Sequence, residues 1–385
     1  MISSSATSLK AGTQPVDARL MSKPRKRQYL FTALITILIA AIWLGCSFGA
    51  AGYQLTLPVQ VAIKALLGEP LSAIENIVLN IRAPRVFMAV LVGSALAVSG
   101  ASLQGICRNP LADPGLIGVS AGAAVGAVVT ILLGQSIPFI LQLGAYAISV
   151  AAVLGAAVTA FTVYYLARVD GRLEVPTLLL AGIAINALGV AIIGIFNYLA
   201  DDQALRLITF WLMGSLAGAS WQAVAIIAPC LGLSIYLSYR QRYALNLLLL
   251  GEANARFSGI DVDRVKLQLL WLNALAVGVA VAFSGIIAFV GLVVPHILRM
   301  CSNTNYRYLL VNAAILGGAL LVLADLLARS MVAPAEIPIG VLTSLIGAPF
   351  FIALLIHQKR RIGGCLLYTS PSPRDLSTSR MPSSA

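Results

Sequence analysis

Gly118-Val119-Ser120-Ala121-Gly122 has the G-x-S-x-G spacing that presents a serine nucleophile at a sharp strand-to-helix turn. Such a serine needs a strand before it and His and acid partners nearby. Here the motif lies in an apolar stretch that reads as helix, and His296 in VVPHILR is the only histidine within the core segments. The same residues with Gly126 place glycines at i, i+4 and i+8, which lets helix backbones approach closely, and packing is the favoured reading. His296 invites a proton relay. No carboxylate surrounds it, so a hydrogen-bonded structural histidine fits better. Asp325 and Arg329 are spaced i, i+4 and can pair on one helix face, with Arg329 snorkelling to water. Arg82 and Arg85, in IRAPR, mark the outer entrance of a span; anchoring at headgroups is the favoured reading of the residues alone, and a positive rim for an acidic partner is the alternative. Cys46, Cys107, Cys230, Cys301 and Cys365 form no CxxC pair, and two histidines cannot build a His-rich metal site. No metal and no cofactor is expected.

These residues sit in an unusually apolar chain. Of 385 residues 59% are hydrophobic and 10% are charged, against about 25% charged in a typical soluble domain. Mean hydropathy is +0.92. Too few charges remain to cover a soluble surface, which excludes an ordinary cytoplasmic enzyme, a disordered chain and a nucleic-acid binder. The net charge of +12 is scattered between apolar runs, where it acts as a topology signal.

A helix needs about 20 mainly apolar residues to cross a ~30 Å hydrocarbon core. Residues 29–50 and 86–106 supply two spans. The charge-free run between Asp113 and Arg168 supplies two more, broken near Gly134-Gln135-Ser136-Ile137-Pro138. Residues 176–198 and 221–239 follow. FWLMGSLAGASW before the latter reads as a short interfacial or re-entrant piece with Trp211 and Trp221 at its ends. Residues 267–298 are too long for one simple helix and short for two, and contain Ser284-Gly285 and a Gly291–Pro295 stretch; the placement of the basic tail Lys359–Arg361 favours two short spans, and 308–328 and 338–357 complete ten. The expected fold is all-α and polytopic, with about ten transmembrane helices and both termini cytoplasmic. Of 26 Lys and Arg, only Lys64, Arg82, Arg85, Arg206 and Arg329 then fall outside, as the positive-inside rule requires. Residues 1–28 read as a disordered basic cytoplasmic lead and 29–362 as the membrane domain. Ser/Pro-rich residues 363–385 read as a non-native tail outside the functional reading.

Neither source of energy for transport is visible. No lysine is followed by Ser or Thr, so there is no P-loop. Asp325 is the only carboxylate well inside a span, although ion-coupled carriers usually need acidic groups at membrane depth. A transporter of this kind would borrow energy through a docking surface. Residues 240–266, RQRYALNLLLLGEANARFSGIDVDRVK, are the longest polar insertion between spans. Leu245, Leu248 and Leu249 fit one helical face, Gly251 breaks the pattern, Glu252–Phe257 fits a second short helix and Gly259 fits its end. Amphipathicity alone leaves a docking knob and a lipid-facing loop equally open.

IRAPRVFMAVLVGSALAVSGASLQGICRNPLADPGLIGVSAGA, residues 81–123, resembles the FecCD-type permeases, the membrane subunits of type II ABC importers for iron chelates and cobalamin. The resemblance continues in FWLMGSLAGASW, LNLLLLGEANARFSGIDVDR, GIIAFVGLVVPHILR, LLADLLARS and EIPIGVLTSLIGAPFFIALL, over roughly residues 30–362. It implies ten helices per subunit, two permease copies around one pathway, an ATPase dimer beneath and a substrate-binding protein outside. It implies that Leu245, Leu248, Leu249, Gly251, Glu252, Ala253, Phe257 and Gly259 couple to the ATPase. It also implies that Arg82, Arg85 and Arg329 receive the binding protein. RNPLADPGLIGVSAGA and DDQALRLITFWLMGSLAGASW look most like haem-importer permeases, with ferric siderophore or cobalamin as alternative cargoes. The implied location is the bacterial inner membrane. Two readings of other classes stay beside it: an ion-coupled secondary transporter, and an intramembrane hydrolase built on Ser120.

Overall fold

A computed structural model describes residues 17–49, 52–53, 55–134, 142–169, 171–301, 304–332 and 335–366. The chain is almost entirely helical. Helix α1 runs Asp17–Ser47, α2 Leu57–Leu67, α3 Ala73–Ile77 and α4 Ala83–Cys107, with a π-helical turn Val78–Arg82 joining α3 to α4. Then come α5 Val119–Leu133, α6 Ala147–Leu166, α7 Val175–Leu199, α8 Asp202–Met213 and α9 Trp221–Arg240. Two short helices, α10 Arg242–Leu248 and α11 Glu252–Phe257, precede α12 Val262–Ser284, α13 Val290–Cys301, α14 Tyr306–Ser330 and α15 Ile339–Leu366. Among the described residues, seven helical stretches are long and apolar enough to span a membrane: within α1, α3–α4 as one stretch, α6, α7, α9, α12 and α14. Four shorter apolar helices, α2, α5, α13 and the Ile339–Leu354 part of α15, accompany them, roughly consistent with the ten expected.

The difficult stretch 267–298 divides as expected. Helix α12 stops at Ser284, and Gly285 takes a left-handed φ of 66° that a side chain would strain. Residues 285–288 run without helix, and α13 begins at Val290. The break is packed closely against protein. The Ser215 N–H donates to the Ser284 carbonyl at 2.8 Å, and the Ile339 N–H donates to the Gly214 carbonyl at 3.1 Å. Backbone polar groups freed at a broken helix are thereby satisfied within the fold, as lipid demands.

Three details differ from the sequence expectation. The segment before α9 is helical from Asp202, because the Asp201 carboxylate accepts the Ala204 N–H at 2.7 Å and caps α8. The second span is prolonged by α3 and the π turn. Pro84 has no N–H for the Leu79 carbonyl, and Trp221 Nε1–H donates to that carbonyl at 2.9 Å instead. Two two-residue hairpins interrupt the all-α pattern: Phe48–Gly49 with Gly52–Tyr53 (β1, β2), and Arg168–Val169 with Arg172–Leu173 (β3, β4). Of the expected break near 134–138, residues 135–138 lie outside the described residues, as do 1–16 of the lead and 367–385 of the tail; α1 begins at Asp17 and α15 continues to Leu366.

Helix α4 is the core. Nearly every residue from Val92 to Ile106 is buried, and the sequence there is mostly Gly, Ala and Ser. Small residues let backbones touch, which is how helices gain contact where lipid removes the hydrophobic drive. A Cβ on Gly100 would stand 1.8 Å from the Gly291 carbonyl oxygen of α13, and one on Gly93 2.3 Å from that of Gly317 in α14. Gly100→Ala should therefore force α4 and α13 apart and cost about 1–3 kcal/mol or more. Gly232 in α9 has nothing within 4 Å, and Gly232→Ala should be neutral to slightly stabilising. Thermal unfolding of the two variants in detergent checks the contrast; equal melting temperatures would refute the close crossing.

Candidate functional site

Two polar clusters lie at opposite ends of α14. Its N-terminal end meets α10: the Tyr306 N–H donates to Asn246 Oδ1 at 2.9 Å, and Asn246 Nδ2 donates to Asn305 Oδ1 at 3.2 Å. Its C-terminal end carries Asp325 and Arg329. Twenty-five residues at about 1.5 Å each separate the ends by roughly 37 Å, enough to cross a bilayer.

At the C-terminal end, Arg85 is the centre. Its Nε and Nη2 hold Asp325 at 2.8–3.0 Å, while Nη1 reaches Glu336 at 2.9 Å. The Arg85 and Asp325 side chains are almost fully buried, whereas Glu336 is 42% exposed. Arg329 pairs with Asp325 as expected, at 3.7 Å, and also donates to the Gly45 carbonyl. Arg82 Nη1 donates to the Ser47 carbonyl at 3.0 Å and the Cys46 carbonyl at 3.3 Å. Two guanidiniums thus occupy the last carbonyls of α1, which have no intrahelical donor. Positive charge is also favourable at that negative end of the helix dipole. All three arginines are buried in this conformation, so Arg329 does not snorkel. Three guanidiniums face two carboxylates, and the cluster keeps an excess positive charge.

At the other end, the 240–266 insertion folds as the expected pair of short helices. Leu245 and Leu248 are buried against the bundle, and Leu249, expected on the same face, is half exposed. Gly251 has φ 105° and ψ 152° and turns the chain between α10 and α11. The N–H of Gly259, a residue at φ 82°, donates to the Arg256 carbonyl at 2.9 Å after α11. Ala253 is exposed on α11 and Phe257 is 90% exposed, a large apolar side chain with little covering it. Glu252 is anchored. Its Oε1 lies 2.7 Å from Lys266 Nζ and 3.7 Å from Arg108 Nη2. The Lys266 side chain is only 4% exposed and also donates to the Leu173 carbonyl of β4 at 3.3 Å. One carboxylate therefore ties α11 to the ends of α4 and α12 and, through Lys266, to β4. Sequence reasoning missed Lys266, Arg108 and Glu336; a lone lysine opening an apolar span was the one available signal.

The G-x-S-x-G motif follows a 3-10 turn, Pro114–Ile117, and no strand precedes it. Asp113 caps that turn by accepting the Gly115 N–H at 2.8 Å; burial pushes its carboxyl above the usual aspartate range and that bond opposes the shift. Gly122 and Gly126 lie against α6, where added Cβ atoms would stand 2.2 Å from Thr159 Oγ1 and the Ala151 carbonyl. Gly118 sits before α5 at φ 85°, facing Ile185 of α7. His296 is half-buried and hydrogen-bonds to no described residue. Among the described residues no group of His, Cys, Asp and Glu could hold a metal ion. An apolar cleft of about 630 Å³ opens between α8, the 286–288 break and α15, with Met213, Ile286, Val341 and Leu345 in its walls.

The FecCD transport family model matches residues 37–357, and the chain belongs to that family. It is 47% identical over 292 residues to the hemin transport system permease protein HmuU of Yersinia pestis, covering 76% of this chain and 86% of that protein. It is 42% identical over 307 residues to the cobalamin import system permease protein BtuC of Halobacterium salinarum, covering 79% and 80%. Among solved structures, an inward-facing ABC transporter of metal-chelate type superposes with TM-score 0.74 at 30% identity, covering 86% of this chain and 99% of that one.

Proposed function

We propose that this chain is the permease subunit that carries haem across the bacterial inner membrane, powered by an ATPase dimer that it does not itself contain. The carrying observation is the placement of two unlike clusters at opposite ends of α14. The α10–α11 end lies in the cytoplasm and receives the ATPase, with Leu249, Gly251, Glu252, Ala253, Phe257 and Gly259 at or near the contact and Leu245 and Leu248 fastening it to the bundle. The Arg82–Arg85–Arg329 end lies outside and receives an acidic surface of a substrate-binding protein. Both termini are cytoplasmic. A second copy completes the pathway, and the apolar cleft beside α15 suits a large, weakly polar cargo.

ATP closure beneath α11 and docking at the arginine cluster each favour one arrangement of the two copies, and that difference moves the cargo. An ion-coupled carrier is disfavoured because Asp325 is already held by Arg85 and Arg329. A hydrolase is disfavoured because Ser120 lacks its strand. Haem is supported by the HmuU likeness. Cobalamin is the second reading, supported by the BtuC likeness. Uptake of labelled haem and cobalamin by cells carrying the full transporter, with and without this chain, tests the assignment. Haem accumulation that requires the chain is expected; dependence for cobalamin alone would transfer the assignment.

A further inference from the structure

A cavity of about 300 Å³ lies between α1, α9 and α14, at the end of the bundle that carries α10. Tyr308 forms one wall, with guanidiniums beside its ring: Arg27 Cζ is 4.8 Å and Arg307 Cζ 5.8 Å from the ring centroid. Neither arginine forms an ion pair with any described residue, and no carboxylate lines the cavity. Asn312 opens into the same space. It is 6% exposed, yet its side chain hydrogen-bonds to no described residue. Its amide faces the cavity, where a ligand with acceptor oxygens would pair it. Gln28 adds another donor at the rim. Below the polar end, Phe31 and Val311 continue the wall as apolar surface along α1 and α14.

We infer that this cavity is a binding site for a phosphate-bearing anion, filled in the membrane by the headgroup of an anionic phospholipid. Arg27 and Arg307 take the phosphate oxygens, Asn312 takes a glycerol or ester oxygen, and the acyl chains follow Phe31 and Val311. Arginine forks match phosphate oxygens, and basic pockets between membrane helices select anionic headgroups. An anionic lipid there would brace the start of α1 against α14. That site is separate from the arginine cluster and adjoins α10, whose Arg242 lies 4.4 Å from the ring centroid of Tyr239 in its wall.

Native mass spectrometry of the purified transporter would read the site, with phosphatidylglycerol, phosphatidylcholine of the same chains, and inorganic phosphate offered separately. Phosphatidylglycerol should be retained in preference to phosphatidylcholine. The double variant Arg27→Gln/Arg307→Gln should bind it about thirtyfold more weakly, at about 1 kcal/mol per basic residue. Arg168→Gln/Arg172→Gln, which removes two charges from the β3–β4 hairpin, should retain it. Asn312→Leu should weaken it without changing net charge. Equal retention of the two lipids, or equal loss in both double variants, would overturn the site. Retention of inorganic phosphate without phosphatidylglycerol would overturn the lipid assignment.

Discussion

Glu252→Ala should lower ATP-driven uptake about thirtyfold while ATP hydrolysis by the partner subunits continues. The reason is local. Lys266 is nearly buried and has two partners, Glu252 and the Leu173 carbonyl. Removing the carboxylate leaves a buried ammonium with one carbonyl. Breaking a fully buried pair costs about 3–5 kcal/mol, and the 28% exposure of Glu252 lowers that to about 2 kcal/mol. That energy shifts the equilibrium between docked and released α11 about thirtyfold toward release, which sets the size of the uptake loss where α11 is only marginally docked. ATPase closure would then move α11 without moving α4 and α12. The double variant Glu252→Ala/Lys266→Met removes the stranded charge and should recover thermal stability, but not coupling. Gly251→Ala should act similarly, because φ 105° strains any side chain. Cargo carried per ATP hydrolysed is the readout. An unchanged ratio in Glu252→Ala and Gly251→Ala would remove this role from α11.

Arg85→Ala carries the second large effect, on folding and docking together. The Asp325 carboxylate would lose a bidentate partner in a site only 2% exposed, with Arg329 left 3.7 Å away. The expected loss is about 3–5 kcal/mol of stability. Asp325→Asn in the same chain should restore part of it, since no buried charge is then left alone. Glu336→Gln separates the two roles. Glu336 is 42% exposed, so its loss should cost under about 1 kcal/mol. It frees Arg85 Nη1, so affinity for an acidic binding protein should rise, most strongly at low salt. Titration of the binding protein at two ionic strengths checks this. Reduced affinity in Glu336→Gln would instead make Glu336 part of the docking surface.

The spans were legible because lipid imposes a length and a composition that the sequence can meet, and charge parity called for a broken pair within 267–298, whose break falls at Gly285. The α10–α11 pair was legible from Gly251 and the leucine spacing around it. What holds these parts together was not. Arg85 meets Asp325 across 240 residues and Glu336 across 251, separations at which spacing rules say nothing. The i, i+4 pair Asp325–Arg329 is made at 3.7 Å, but the fold adds a closer guanidinium from α4, and Arg329 also reaches the end of α1. Lys266 was passed over because a lysine at a span end is ordinarily solvated, and only the fold covers it with Glu252 and β4. Arg27 and Arg307 are far apart in sequence, and only the packing of α1 on α14 sets both beside Tyr308.

The most direct measurement is transport in proteoliposomes holding this chain with its ATPase and binding protein. Haem, a ferric siderophore and cobalamin would be offered in parallel, with and without ATP in the compartment facing α10 and α11. Accumulation of haem that requires ATP on that side is the predicted result. Uptake that proceeds without ATP and follows an ion gradient would contradict it.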